Sequence, residues 1–113
     1  MNTTPLESKE CETFKNYLEV KKLKFTHIVN EGNFPVQYRM KLKRMGFSRG
    51  IPDYMVLLPN GIAFVEIKRL KGSHTYPEQV EWIEALNRIP GVEAKICYGS
   101  QEAIDFIEDL TTI

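Results

Sequence analysis

Residues 52–68, Pro52-Asp53-Tyr54-Met55-Val56-Leu57-Leu58-Pro59-Asn60-Gly61-Ile62-Ala63-Phe64-Val65-Glu66-Ile67-Lys68, decide how this chain folds. Two apolar runs flank Asn60-Gly61, the strongest short hairpin signal, so Tyr54 to Leu58 and Ile62 to Lys68 are predicted as antiparallel strands. A two-residue loop there sets Pro59 against Ile62, Leu57 against Phe64, Met55 against Glu66 and Asp53 against Lys68. Side chains alternate between faces along a strand, so Asp53, Glu66 and Lys68 fall on one face at one end of the hairpin. Opposed Cβ atoms lie about 4.5–5.5 Å apart and diagonal neighbours about 7–8 Å. Two carboxylates and one ammonium then come within reach of a single ion and one water. A slip of one residue would undo this arrangement.

Working outward, Thr4-Pro5-Leu6-Glu7 opens a helix, with Thr4 as N-cap, Pro5 first and Glu7 closing a capping box. Cys11, Phe14 and Leu18, with Tyr17 beside them, give it an apolar face to about Lys22. Lys24 to Val29 reads as a short strand, residues 31–35 as a loop, and Val36 to Met45 as a weak, cation-rich helix stopped by Gly46. Beyond the hairpin, a polar loop leads to Pro77, which starts a second long helix. That helix carries Val80, Ile83, Leu86 and Asn87 at helical spacing and ends at Pro90-Gly91. Val92 to Tyr98 is a fourth strand, and Ser100 caps a last helix bearing Ala103, Ile104, Ile107 and Leu110. The passage from Ile62 to Tyr98 has the length of a parallel crossover. The expected fold class is α/β: one domain over residues 1–113, a mixed four-stranded sheet flanked by helices.

Composition places few limits beyond a soluble globular domain. The net charge is zero, but its distribution is not even. From Lys21 to Lys71 there are eleven Lys/Arg against three acids, and the remainder has four cations against twelve acids. If the middle forms one surface, its field draws phosphates. Cys11 and Cys97 show no metal-type spacing and read as two buried thiols in a reducing compartment. No apolar run approaches the length of a membrane span and no signal peptide is visible, so the cytoplasm is the expected location. A Gly-rich phosphate cradle is absent, which weakens a small-phosphate hydrolase. The few, scattered histidines and cysteines disfavour a zinc nuclease.

Two hard carboxylates suit Mg²⁺ or Mn²⁺, which prefer oxygen ligands and retain waters. The backbone carbonyl of Ile67 is a further candidate ligand. An ammonium beside such an ion can hold a water and steady charge on a phosphoryl group. Glu-x-Lys in a strand is a weak signal alone; Pro52-Asp53 on the same face across a tight hairpin strengthens it. Gly50-Ile51-Pro52-Asp53-Tyr54, Phe64-Val65-Glu66-Ile67-Lys68-Arg69 and Glu78-Gln79-Val80-Glu81-Trp82 together resemble the virus-type replication-repair nuclease (VRR-NUC) family of the PD-(D/E)xK superfamily. The similarity extends to His27-Ile28-Val29-Asn30-Glu31, Lys43-Arg44-Met45-Gly46 and Ala94-Lys95-Ile96-Cys97, in the same order.

That resemblance implies a core of αβββαβ order and a divalent-metal endonuclease acting on DNA, branched or four-way junction DNA included. It further implies a stand-alone, phage-type member, with the host cytoplasm as its compartment and a homodimer as its assembly. Asp53 and Glu66 would bind metal, Lys68 would position or activate the water, and Gln79 would face the site. The family also places an acid in the first helix; Glu7 and Glu10 both fit, with Glu10 preferred as the ligand. Arg39, Lys41, Lys43, Arg44, Arg49 and Arg69 are candidate phosphate contacts, since the stretch before Pro52-Asp53 contains no acid. Asn30 and His74 are candidate DNA contacts. Trp82 reads as core or subunit interface, and His27 as packed on its strand. The competing reading is a non-catalytic DNA-binding or assembly module on the same fold.

Overall fold

The computed structural model describes residues 5–29 and 34–112, with the side chains of residues 5 and 6 left aside. Its elements run α1 (Pro5–Val20), β1 (Phe25–His27), α2 (Val36–Arg44), β2 (Tyr54–Leu58), β3 (Gly61–Lys68), α3 (Pro77–Asn87), β4 (Val92–Tyr98) and α4 (Ser100–Thr111). The sheet order is β1-β2-β3-β4, antiparallel across the first two pairings and parallel at β3–β4. The mixed four-stranded sheet is as expected. The expected Thr4 cap lies outside the described residues. Two elements are shorter than predicted: β1 spans three residues, and α1 ends at Val20. There Lys22, in the left-handed region at φ 61°, reverses the chain so that the Leu23 N–H reaches the Leu18 carbonyl.

The hairpin register differs from the predicted one by two residues. Leu58 pairs with Gly61, Leu57 with Ile62 and Met55 with Phe64, so Pro59-Asn60 forms the turn. Neither Asn60 nor Gly61 has positive φ, so the primed turn that Asn-Gly usually signals does not form. Pro59 suits the first central position of an ordinary turn. Gly61 is needed for another reason: a Cβ there would lie 2.1 Å from the Gly91 carbonyl oxygen, where β3 starts beside β4. Because the shift is two and not one, face alternation is preserved. Extending the ladder by one step sets Asp53 beside Glu66 and no longer beside Lys68.

The apolar core fills the sheet face under α1 and α4. Phe14 and Leu18 meet Tyr54, Val56, Ala63, Val65, Ile67 and Cys97, with Ala103 and Ile107 closing from α4. Fully burying each Val, Leu, Ile or Phe contributes roughly 1.5–3 kcal/mol. β3 lies between β2 and β4, and its last four residues, 65–68, are buried on both faces. There Glu66 and Lys68, on the face opposite the core, are only 6% and 7% exposed. Cys97 is buried and Cys11 half-buried, both free; burial raises their thiols to about 12 and about 11, which disfavours the thiolate at neutral pH. Asn87, predicted on the apolar face of α3, does something else. Its side chain donates to the Ala94 carbonyl at 2.9 Å and accepts from the Ala94 N–H at 2.7 Å, occupying the outer edge of β4. Likewise Gly99, and not Ser100, is the α4 N-cap.

Candidate active site

The end of β3, the start of β2 and the N-terminus of α3 meet at one corner of the sheet. Pro52 is fully buried and fixes the approach to Asp53, whose backbone carbonyl accepts from the Ile28 N–H at 2.6 Å. The Asp53 carboxylate accepts from the Ile67 N–H at 2.9 Å, anchoring it to the middle of Glu66-Ile67-Lys68. A strand residue sends its N–H and carbonyl toward the same neighbour. The Lys68 carbonyl faces β4, where it accepts from Gly99 at 2.7 Å, so the Ile67 carbonyl faces the Asp53 side.

Gln79 ties the rest together. Its Nε2 donates to Glu66 Oε2 at 2.9 Å, while its Oε1 accepts from Lys68 Nζ and from the Tyr76 N–H, each at 3.0 Å. Lys68 Nζ also donates to the His74 carbonyl at 2.7 Å and stands 3.7 Å from Glu66 Oε2, an ion pair without a direct hydrogen bond. Gln79 can reach both because Pro77 starts α3 and places it two residues into the first turn.

Burial pushes the Glu66 carboxyl up to about 8, and repulsion from Asp53 adds to this, against the lowering effect of Lys68. Burial also raises Asp53, partly offset by the Ile67 N–H. The carboxylate of Glu7 acts on both in the same direction as their mutual repulsion. The corner is therefore short of positive charge. Two hard carboxylates, Glu66 buried and Asp53 half-buried, with a carbonyl alongside fit a divalent cation of the Mg²⁺ or Mn²⁺ type. Among the described residues no three His, Cys, Asp or Glu side chains form a metal-holding group, so waters would complete such a shell.

The other predicted residues are placed unevenly. Glu10, the preferred first-helix ligand, instead accepts from the Ser100 N–H at 2.6 Å, capping α4 in place of the N-cap glycine. Glu7 is the first-helix acid whose charge acts on the pair. Arg69 folds back on its own loop and donates to the Gly72 carbonyl. His74 contributes its carbonyl to Lys68, while its ring stands edge-on to Tyr76 at 4.7 Å. His27 is exposed and edge-on to Tyr54 at 4.8 Å, with its charge acting on Asp53. Asn30, with Glu31, lies outside the described residues.

Arg39, Lys43 and Arg49 border a groove of about 740 Å³ between α2 and α3, beside the carboxylates and not over them. Lys41 and Arg44 are exposed elsewhere on α2. Trp82 is not a core residue: it is half-buried, lines this groove, and donates from Nε1 to the Arg49 carbonyl at 3.2 Å. Tyr76 was not singled out from sequence, although Pro77 at a helix start marks the residue before it as N-cap.

No protein-family model matches the chain, and no curated protein matches it. Solved structures do. One described as a "VRR_NUC domain protein" superposes with a TM-score of 0.75 at 24% identity, over 96% of this chain and 89% of the other. Another, described as "VRR_NUC domain", gives 0.66 at 23% identity, over 93% and 97%. The likeness spans almost the whole of both partners. The chain has the VRR_NUC fold.

Proposed function

We propose that this chain is a divalent-metal-dependent DNA endonuclease whose reaction centre is Asp53, Glu66 and Lys68. The convergence of the buried Glu66 carboxyl and the buried Lys68 ammonium on Gln79, with the half-buried Asp53 carboxylate held on the Ile67 N–H between them, carries this reading. Asp53, Glu66 and the Ile67 carbonyl would hold Mg²⁺ or Mn²⁺, which when bound supplies Lewis acidity and lowers the pKa of a bound water. Lys68 has three N–H donors, of which two go to His74 and Gln79. The third is left for a water or a phosphoryl oxygen, where an ammonium stabilises charge that develops on phosphorus. Gln79 keeps Lys68 and Glu66 apart, so the two do not collapse into a closed pair. Glu7 adds negative charge beside the ion. Lys41 and Arg44, on the solvent side of α2, would meet phosphates further along the strand.

The finer reading is a phage-type enzyme that cuts branched DNA, four-way junctions included, during replication, recombination or repair in the host cytoplasm. A homodimer would set two such centres against two strands. Purified protein incubated with supercoiled plasmid, linear duplex, flaps and four-way junctions, with Mg²⁺ or Mn²⁺, tests it. Cleavage is expected to need the metal and to be lost in Asp53→Asn and Lys68→Ala, with DNA binding largely kept in Asp53→Asn. Cleavage in chelator, or in either variant, removes the mechanism. Binding without cleavage under all conditions would make the chain a non-catalytic module.

A further inference from the structure

The groove between α2 and α3 shares no side chain with the reaction centre, and its lining combines groups that a ligand could use. Trp82 and Phe47 supply its apolar wall, and Arg39, Lys43 and Arg49 line the same space as Glu78 and Glu81. Among the described residues neither carboxylate forms an ion pair with these cations. The Arg39 Nε is also shielded and without a hydrogen-bond partner. Charges of both signs thus stand open beside a flat aromatic surface. A ligand that satisfies them must bring acceptor oxygens, N–H donors and a π-face together.

A nucleotide has all three: phosphate oxygens for the guanidinium and ammonium groups, ring-edge donors for the carboxylates, and a base to lie on Trp82. Bases stacked inside a duplex do not offer their faces, whereas unpaired ones do. The volume of about 740 Å³ suits a small ligand and not a duplex.

The groove is also rigidly joined to the reaction centre. The Arg49 guanidinium lies 5.5 Å from the centre of the Tyr76 ring, and the Tyr76 N–H binds the same Gln79 that holds Glu66. Gly50 packs so closely on α3 that a Cβ would meet the Glu78 backbone at 2.8 Å, and its φ of 100° also favours glycine. The segment that leads to Asp53 is therefore fixed against the helix that walls the groove.

We propose that this groove binds an unpaired nucleotide of the DNA strand beside the scissile phosphate, so that single-stranded DNA next to a duplex is the preferred ligand. The inference rests on the nuclease reading for its choice of DNA. Trp82 is the only tryptophan in the chain, so its emission reports on the groove directly. The protein is titrated in chelator with a short oligothymidine strand and with a blunt duplex of equal length. Saturable quenching by the single strand is expected, with the duplex at least roughly tenfold weaker. The Arg39→Gln/Lys43→Gln double variant, checked for native circular dichroism, should bind the single strand roughly tenfold less well and with a shallower salt dependence.

Absence of quenching, equal quenching by the duplex, or unchanged affinity in the double variant overturns the proposal. Metal-dependent, Asp53-sensitive cleavage with a silent Trp82 would leave the nuclease standing and remove the groove. Quenching as expected without any cleavage would do the reverse.

Discussion

Replacing Gln79 by leucine isolates the one side chain that organises the site. Leucine is close to glutamine in size, so the substitution opens little cavity and mainly removes hydrogen bonds. Three are lost: to Glu66, to Lys68 and to the Tyr76 N–H. The first two involve ionisable groups that are 6% and 7% exposed, which water cannot readily compensate. The bond to the charged Lys68 contributes about 1.5–3 kcal/mol, and the other two, one of them to a Glu66 carboxyl that holds its proton at neutral pH, about 1 each. Lys68 keeps the His74 carbonyl and can move toward Glu66 from 3.7 Å, which recovers part of the loss. The net destabilisation should be about 2–4 kcal/mol at neutral pH, read as a lower urea midpoint at unchanged slope. Gln79→Glu keeps the acceptor for Lys68 and Tyr76 but loses the donor to Glu66 and adds a carboxylate. It should be destabilised at neutral pH and recover as the pH is lowered. A midpoint for Gln79→Leu within about 0.5 kcal/mol of the wild type, the usual range for surface changes, would refute a structural role for this amide.

Glu66 makes metal-free stability depend on pH with a definite sign. Its carboxyl is raised from an ordinary 4.5 to about 8, so the folded protein holds a proton that the unfolded chain has lost between those values. The associated stability is complete below 4.5 and disappears as pH rises through 8, a trend that Asp53, raised in the same direction, reinforces. Urea titrations in chelator at acidic and alkaline ends of that window should show the loss in the wild type and a flatter profile in Glu66→Gln; parallel profiles would contradict the assignment. Millimolar Mg²⁺ or Mn²⁺ should restore stability at the alkaline end in the wild type and much less in Asp53→Asn, as thermal melts can show. Gly61→Ala places a methyl group against the Gly91 carbonyl, so β3 and β4 must separate at their start; about 1–3 kcal/mol of stability should be lost in thermal melts.

The strands and their faces were legible because alternation in β2 and β3 is strong and a two-residue error leaves it intact. The error itself is instructive. Asn60-Gly61 carries a local turn preference, but Gly61 answers to the approach of Gly91, thirty residues on, which local propensity does not contain. The Asp53, Glu66 and Lys68 cluster could be built from strand geometry alone. Gln79 needed the family resemblance, since a glutamine in a first helical turn is otherwise a routine surface residue. Glu7 and Glu10 could not be separated from sequence: the choice depends on α4, whose N-cap glycine leaves amides that Glu10 satisfies. The groove was invisible for a similar reason. It exists only because residues 46–52 carry α2 across to α3, and nothing in either helix announces the other.

The occupied edge of β4 limits how copies of this chain can join. Asn87 saturates both peptide groups of Ala94, the Ile89 carbonyl takes the Val92 N–H, and the Glu102 carboxylate takes that of Tyr98. A neighbour seeking to extend the sheet there finds most of these outward amides already taken, much as a crystal face slows once its surface sites are poisoned. At the opposite margin β1 offers only three residues. Side chains on helices and loops are then the easier route to assembly, and there a single substitution can dissolve the contact without disturbing a strand.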